Sequence, residues 1–205
     1  MKVGDISELY IFALFDSAKD GSHPTMQQIL SRGIPVDSCD ESGCTPLMTA
    51  CRNGHTKIAE MLLSAGAQIN ARCDIGATSF IYAAWGEHLE ILKLLETRGA
   101  NIQLRDNIEC SALNYGVTAE RIEIVEFLLY FRLPVNKLSL IGRTPLIDAI
   151  EGSAKSETIK LLLAAGADPN LMDPVIGVTA LKAAQDAGKI EIVELLLAAG
   201  AIDLG

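Results

Sequence analysis

A single sequence pattern returns along this chain about every 33 residues. Four of the periods open on a glycine that is followed two residues later by threonine, and the same four close on paired leucines with Gly-Ala after two or three intervening residues. The opening motif occupies residues 43–47, 76–80, 142–146 and 177–181. The closing motif occupies residues 62–67, 94–100, 162–167 and 196–201. A fixed period of this length predicts a solenoid, in which each unit packs only against its neighbours.

The segment 40–72 shows the pattern in full. Its Gly-x-Thr-Pro-Leu motif is followed by an alanine-containing helix, then Gly-His, an amphipathic helix with paired leucines, and Gly-Ala. This order resembles the ankyrin repeat, and the resemblance covers essentially the whole chain. The resemblance implies an all-α fold, an ankyrin-repeat solenoid of helix-turn-helix units with protruding hairpin-like loops.

The repeat register divides residues 1–205 into a single ankyrin-repeat array. The predicted repeats span about 7–39, 40–72, 73–105, 106–138, 139–173 and 174–205. The first is a degenerate N-terminal cap, since Tyr10, Phe12 and Ala13 replace its glycine, threonine and proline.

The fourth repeat is also irregular. Glu109 replaces the turn glycine, Ala112 the proline, Gly116 a helix alanine and Arg132 the closing glycine. A glycine inside a helix costs about 0.5–1 kcal/mol relative to alanine. We therefore expect this repeat to be the least stable part of the array.

The residue types within a repeat fit the ends of two helices. Thr45 can accept backbone N–H bonds at a helix start, and Pro46 lies just inside it, where its missing donor costs nothing. Gly54 and Gly66 can adopt the left-handed conformation that ends a helix. The resemblance implies that His55, and His88 one repeat later, are structural residues.

Composition restricts the class of partner. The net charge of −9 argues against broad nucleic-acid binding and against an anionic membrane surface. The sequence contains no run of 18 apolar residues that would predict a membrane span, and its start lacks the basic leader of a secretory signal. The five cysteines include no CxxC pair, which favours reduced thiols. We predict a cytoplasmic protein.

Motifs that would carry chemistry are missing from the sequence. It contains no P-loop, no HExxH and no GxSxG motif, so we predict no enzyme and no cofactor. One alternative is a thiol- or metal-dependent protein that uses Cys39, Cys44 and Cys73, which fall on neighbouring loops. Structural zinc sites need four ligands, and this group supplies only three.

The resemblance implies that another protein binds to the concave surface formed by inner helices and loop tips. The repeat register places eight candidate contact residues there: Arg52, Asn53, Tyr82, Trp85, Tyr115, Thr118, Asp148 and Glu151. Trp, Tyr and Arg dominate interface energetics, so we expect the contact centre near Trp85. Two interpretations of Trp85 stay open, exposure on this surface or packing on the next inner helix, and burial is favoured for Tyr82.

A column of isoleucines marks the loop tips. One loop position carries Ile75, Ile108, Ile141 and Ile176 in successive repeats, where ankyrin-like units are usually polar. Exposed apolar residues on adjacent loops form a contact surface. The alternative is internal packing of each isoleucine against the neighbouring loop.

Two further hypotheses concern partners. The last helix is as apolar as an internal one, although repeat arrays need polar ends, which suggests self-association or cover by the short tail. The acidic charge suggests an alternative function as an inhibitor or antidote that blocks a basic toxin, nuclease or other enzyme.

Overall fold

The computed structural model describes residues 3–118, 121–172, 174 and 177–203, with side chains from residue 8 onward. These residues form twelve α-helices that follow one another in pairs. The helices are α1 (Val3–Asp20), α2 (His23–Leu30), α3 (Pro46–Asn53), α4 (Thr56–Ser64), α5 (Ser79–Trp85), α6 (Leu89–Thr97), α7 (Ala112–Gly116), α8 (Ile122–Tyr130), α9 (Pro145–Glu151), α10 (Ser156–Ala164), α11 (Ala180–Asp186) and α12 (Ile190–Ala198). An isolated antiparallel bridge pairs Met172 with Thr179.

The helices pack as two compact units, Met1–Asp106 and Asn107–Gly205. Their boundary falls within one residue of the predicted boundary between the third and fourth repeats. In the first unit the inner helices α1, α3 and α5 pack side by side, and the outer helices α2, α4 and α6 do the same. In the second unit α9 packs between α7 and α11, and α10 packs between α8 and α12.

Threonine begins four of the inner helices, as predicted for Thr45. The hydroxyl oxygens of Thr45, Thr78, Thr144 and Thr179 each accept a bond from the backbone N–H three residues later, at 3.2–3.4 Å. Each of these bonds satisfies one of the backbone donors that a helix start leaves unpaired. Leu47, Ala50 and Cys51 behind the first of these caps are fully buried.

Side chains from one repeat bind backbone carbonyls of the repeat before it. The His55 ring contacts the Lys19 carbonyl oxygen through Nε2 at 2.7 Å, and His88 contacts that of Arg52 at 3.0 Å. These carbonyls lie at the ends of α1 and α3, where a helix leaves its acceptors unpaired. The predicted structural role of both histidines is confirmed.

Gly116 lies against α8. A Cβ atom at this position would lie 2.6 Å from Leu128 Cδ1 and 3.3 Å from Ile124 Cγ2. The missing side chain therefore lets α7 approach α8 closely. Packing against these two residues opposes the gain in helix propensity that alanine would bring, and the expected cost of this glycine stays a prediction.

Two other replacements in the fourth repeat do carry a cost. Glu109 and Arg132 have φ angles of +64° and +53°, in the left-handed region where the pattern places glycine. This conformation costs a residue with a Cβ about 1–2 kcal/mol. Strain at both ends of one repeat supports the prediction that it is the least stable.

We expect Arg132→Gly to stabilise the chain by about 0.5–1 kcal/mol, since glycine removes the left-handed strain but has more freedom when unfolded. Hydrogen exchange is the measurement. Residues 110–132 should exchange faster than residues 45–65, and the substitution should slow exchange in the former segment only. Equal protection of the two segments in the unaltered chain would overturn the prediction.

Candidate functional site

Arg52 and Trp85 lie one repeat apart, at the ends of α3 and α5, and their side chains meet. The Arg52 guanidinium carbon lies 4.7 Å from the centre of the Trp85 ring system and 5.9 Å from the Tyr82 ring centre. The Tyr82 and Trp85 rings are nearly parallel, with centroids 6.0 Å apart and 8° between planes. Trp85 keeps 43% of its surface in solvent. Each of the three side chains contacts the other two, and this group is called here the Arg52–Trp85 stack; tryptophan is its exposed aromatic part.

Tyr82 is the buried base of this stack, with 5% of its surface exposed. Its hydroxyl group lies 3.2 Å from Cys44 Sγ and 3.5 Å from Cys73 Sγ. Burial raises the pKa of Cys44 to about 11, and the neighbouring Cys73 adds to this effect. A thiol with so high a pKa stays protonated at neutral pH and is a poor nucleophile. The two thiols thus act as contacts that hold the Tyr82 hydroxyl group in place.

The positions of the three loop cysteines bear on the alternative of a thiol- or metal-dependent protein. Cys44 and Cys73 share the Tyr82 hydroxyl, but Cys39 is exposed and its Sγ lies 3.6 Å from the Asp37 carbonyl oxygen. Across the described ranges no group of three or more His, Cys, Asp or Glu side chains is arranged to hold a metal ion.

A cavity of about 330 Å³ adjoins the stack in the first unit. Arg52, Asn53 and Tyr82 line one part of it, and Lys19 and Asp40 line another. Asn53 is exposed and donates a side-chain bond to the Thr49 carbonyl oxygen at 2.8 Å. The four candidate contact residues of the first unit, Arg52, Asn53, Tyr82 and Trp85, thus lie together.

The other four candidates lie in the second unit, where Asp148 is the central residue. Asn114 Nδ2 donates to Asp148 Oδ2 at 2.8 Å, and Arg143 bridges Asp148 and the exposed Glu151. Thr118 is exposed and its hydroxyl donates to the Tyr115 carbonyl oxygen at 2.7 Å. Burial raises the pKa of Asp148, against the opposing effects of the Asn114 bond and the Arg143 charge.

The raised pKa gives a testable pH dependence. Between the ordinary value of 3.8 and the folded value, the folded state binds more protons at Asp148 than the unfolded state. Stability from this group is thus present below 3.8 and is lost as pH rises through the folded pKa. We expect Asp148→Asn to be more destabilising at pH 4 than at pH 7 in urea titrations. A loss in the free energy of unfolding that is the same at both pH values would contradict this prediction.

The isoleucine column is exposed wherever it is described. Ile75, Ile108 and Ile141 keep between 39% and 50% of their surface in solvent, and Ile176 lies outside the described residues. In the second unit the Leu140 N–H donates to the Ile108 carbonyl oxygen at 2.8 Å, so a backbone bond joins these two loops. A contact role for the column stays a prediction.

The last helix also exposes apolar side chains. Ile190 is 74% exposed, and Leu197 and Ile202 are exposed as well. The tail is attached through the Ile202 N–H, which donates to Asn170 Oδ1 at 2.8 Å. The tail as far as residue 203 leaves Ile190 and Leu197 in solvent, and self-association stays a prediction.

One feature beside the first repeat was not predicted from the sequence. A groove of about 450 Å³ lies between α1 and the loop at residues 39–41. Its apolar wall consists of Ile11, Phe12 and Phe15, and Phe12 is 67% exposed. The signal was present in the phenylalanine that replaces the threonine of the repeat pattern.

Comparison with known proteins matches this geometry to one family. The family model described as ankyrin repeats in three copies matches residues 14–106, 80–173 and 113–204. The chain belongs to the ankyrin-repeat family. Among solved structures it is similar to an ankyrin repeat domain from Acinetobacter baumannii AYE, with 34% identity and a TM-score of 0.77. That alignment covers 92% of this chain and 98% of the other, whereas no curated protein matches the sequence.

The family assignment confirms the predicted all-α ankyrin-repeat solenoid. Ankyrin repeats generally mediate protein–protein interaction, and the family is typically non-enzymatic. Among the described residues no helix has both the length and the apolar character needed to cross a membrane. The repeat boundaries and the contact residues stay predictions.

Proposed function

We propose that this ankyrin-repeat chain is a non-enzymatic scaffold that binds another protein through its inner-helix and loop surface, with the Arg52–Trp85 stack as the contact centre. The observation that carries the proposal is the half-exposed Trp85 ring, which contacts both Arg52 and the buried Tyr82. Tryptophan and arginine are the residues most often found at the energetic centre of protein interfaces.

The stack is ordered before any partner arrives. The Tyr82 hydroxyl contacts two thiols, and the Arg52 guanidinium makes cation–π contacts with both the Tyr82 and the Trp85 rings. A side chain that is already fixed loses less conformational entropy on binding, which is about 0.5–1.5 kcal/mol for each immobilised flexible side chain. A partner that covers Trp85 therefore gains apolar burial at a low ordering cost.

The test is quantitative capture of binding proteins from native lysate, compared between the unaltered chain and two variants. We expect Trp85→Ala and Arg52→Ala each to reduce capture of the main partner by about tenfold or more, the loss typical of an interface centre. Arg98→Ala and Tyr130→Ala are matched controls, because both side chains are exposed at or near outer-helix ends. Unchanged capture by both test variants, with unchanged thermal stability, would place the contact elsewhere.

Salt dependence separates this proposal from the acidic-inhibitor alternative. The alternative is supported by the net charge of −9, and it requires a basic partner held by charge. Its affinity would fall steeply between low and physiological salt, because exposed charges are screened. A contact centred on an apolar stack would change much less over the same range.

A further inference from the structure

Within each unit, a backbone bond joins two neighbouring loops. The loops at 40–43, 73–76 and 139–142 each contain a tight turn in which the fourth residue donates to the first, at 3.0, 2.7 and 3.0 Å. The N–H of the second turn residue then donates to the carbonyl of the third residue in the preceding turn. Asp74 donates to Ser42 in this way at 3.0 Å, and in the second unit Leu140 donates to Ile108 at 2.8 Å.

The turn at 40–43 is the first of this series and has no turn before it. The first repeat continues as α1 where the later repeats have a loop. Glu41 is the second residue of the turn and is exposed, and its N–H makes no hydrogen bond to any described residue. The donor that joins later turns to their predecessors is therefore available to an incoming chain.

Glu41 also lines the groove beside α1. Ile11, Phe12 and Phe15 line it as well. Its volume of about 450 Å³ is within the range of sites that hold small ligands or a few side chains. Because Phe12 is mostly exposed, apolar side chains entering the groove would remove its ring from water, which favours binding.

The rim of the groove is acidic. Glu8, Asp16, Asp40 and Glu41 line it, against one cation, Lys19. None of the four carboxylates forms an ion pair with a side chain in the part of the chain that the structure describes. Complementary charge favours lysine or arginine in whatever occupies the groove.

We propose that this groove binds an extended segment of a partner protein in which apolar residues alternate with lysine or arginine. The segment takes the place of the turn that the first repeat lacks, and one of its main-chain carbonyls accepts the Glu41 N–H. Apolar side chains of an extended chain point to one side, onto Phe12 and Phe15, while long basic side chains reach the rim. The inference rests on the proposed protein-binding function. The groove is continuous with the cavity beside the Arg52–Trp85 stack, since Lys19, Asp40 and Thr49 line both.

The experiment uses the full chain and a panel of fluorescein-labelled synthetic peptides in which lysines alternate with Leu, Ile or Phe. Anisotropy titration at low salt should show binding by at least one peptide, and the same peptides with glutamate in place of lysine should not bind. We expect Phe12→Ser to weaken binding about tenfold, a loss that removal of one apolar contact residue produces. Tyr130→Ser is the matched control, since it removes an exposed aromatic ring from an outer helix.

A pair of substitutions at Glu41 isolates the backbone bond. Glu41→Gln removes the charge and keeps the N–H, whereas Glu41→Pro removes both at a turn position that proline favours. We expect Glu41→Pro to weaken binding several-fold more than Glu41→Gln, and the Glu41 amide resonance to shift when peptide is added to the unaltered chain. Equal effects of the two substitutions, with no such shift, would overturn the proposed backbone contact.

Two other outcomes would overturn the proposal as a whole. Either no peptide of the panel binds, or Phe12→Ser leaves binding unchanged. A dimer of the unaltered chain that Phe12→Ser converts to monomer in light scattering would assign the groove to a second copy instead. None of these results affects the capture experiment on Trp85 and Arg52, so failure here is distinguishable from failure of the proposed function.

Discussion

Replacement of Gly54 by alanine should destabilise the chain by about 2–4 kcal/mol, whereas Gly99→Ala should cost only about 1–2 kcal/mol. Both glycines have a φ angle of +82°, so both substitutions carry the same left-handed strain. A Cβ at Gly54 would lie 2.6 Å from Cε1 and 2.8 Å from Nδ1 of His88, but nothing lies within 4 Å of a Cβ at Gly99. The difference between the stability losses of these two substitutions therefore measures how closely Gly54 packs against the His88 ring.

The His88 ring cannot simply move aside, because its Nε2 is bonded to the Arg52 carbonyl oxygen at 3.0 Å. Urea denaturation of Gly54→Ala, His88→Ala and the double variant would measure the coupling between the two positions. The double variant should lose less stability than the sum of the single variants, since removal of the ring relieves the clash. Additive losses, or equal costs at Gly54 and Gly99, would contradict this account of how the repeats join.

Lys189→Met should destabilise the chain by about 2–3 kcal/mol. The Lys189 ammonium group donates to the carbonyl oxygens of Ile150 and Gly152 at 2.6 and 2.8 Å, at the end of α9. It stands at the position that His55 and His88 occupy in earlier repeats, and like them it binds the end of the preceding inner helix. Loss of the ammonium would leave two carbonyls at a helix end without their donors.

A rescue variant distinguishes this link from a general loss of charge. Lys189→His should recover part of the lost stability, because the imidazole of the earlier repeats makes one such bond. Lys182→Met is the control, since Lys182 is exposed and pairs with Asp186 one turn away, a contact worth about 0.3–0.5 kcal/mol. The measurement is the midpoint and slope of urea unfolding. Equal losses for Lys182→Met and Lys189→Met would refute the proposed link.

Features that repeat could be predicted from the sequence, because each position is tested several times in one chain. Thr45 and Gly54 perform the helix-end roles that their type and position indicate. The structural role of His55 and His88 followed from the family resemblance, and the bonds to Lys19 and Arg52 explain it. In each case a local backbone requirement selects the residue type.

Features that depend on contact between repeats could not be predicted in the same way. From the sequence alone Gly116 is an unfavourable residue inside a helix, but in the structure Leu128 and Ile124 occupy the space where its Cβ would be. The Arg52–Trp85 stack needs the distance between α3 and α5, which the register alone does not supply. The groove beside α1 arises where the first repeat continues as a helix in place of a loop, and its one sequence signal is Phe12 at the position of the repeat threonine.

The central claim is that a partner protein covers the Arg52–Trp85 stack. Its most direct test is photo-cross-linking in native lysate with p-benzoylphenylalanine placed at Asn53, which is exposed beside Arg52 and leaves the stack intact. The same probe placed at Tyr130, on an outer helix, is the control. We predict a discrete covalent adduct from position 53 that Trp85→Ala removes and that position 130 does not form. Adducts that are the same from both positions, or that persist without Trp85, would contradict the claim.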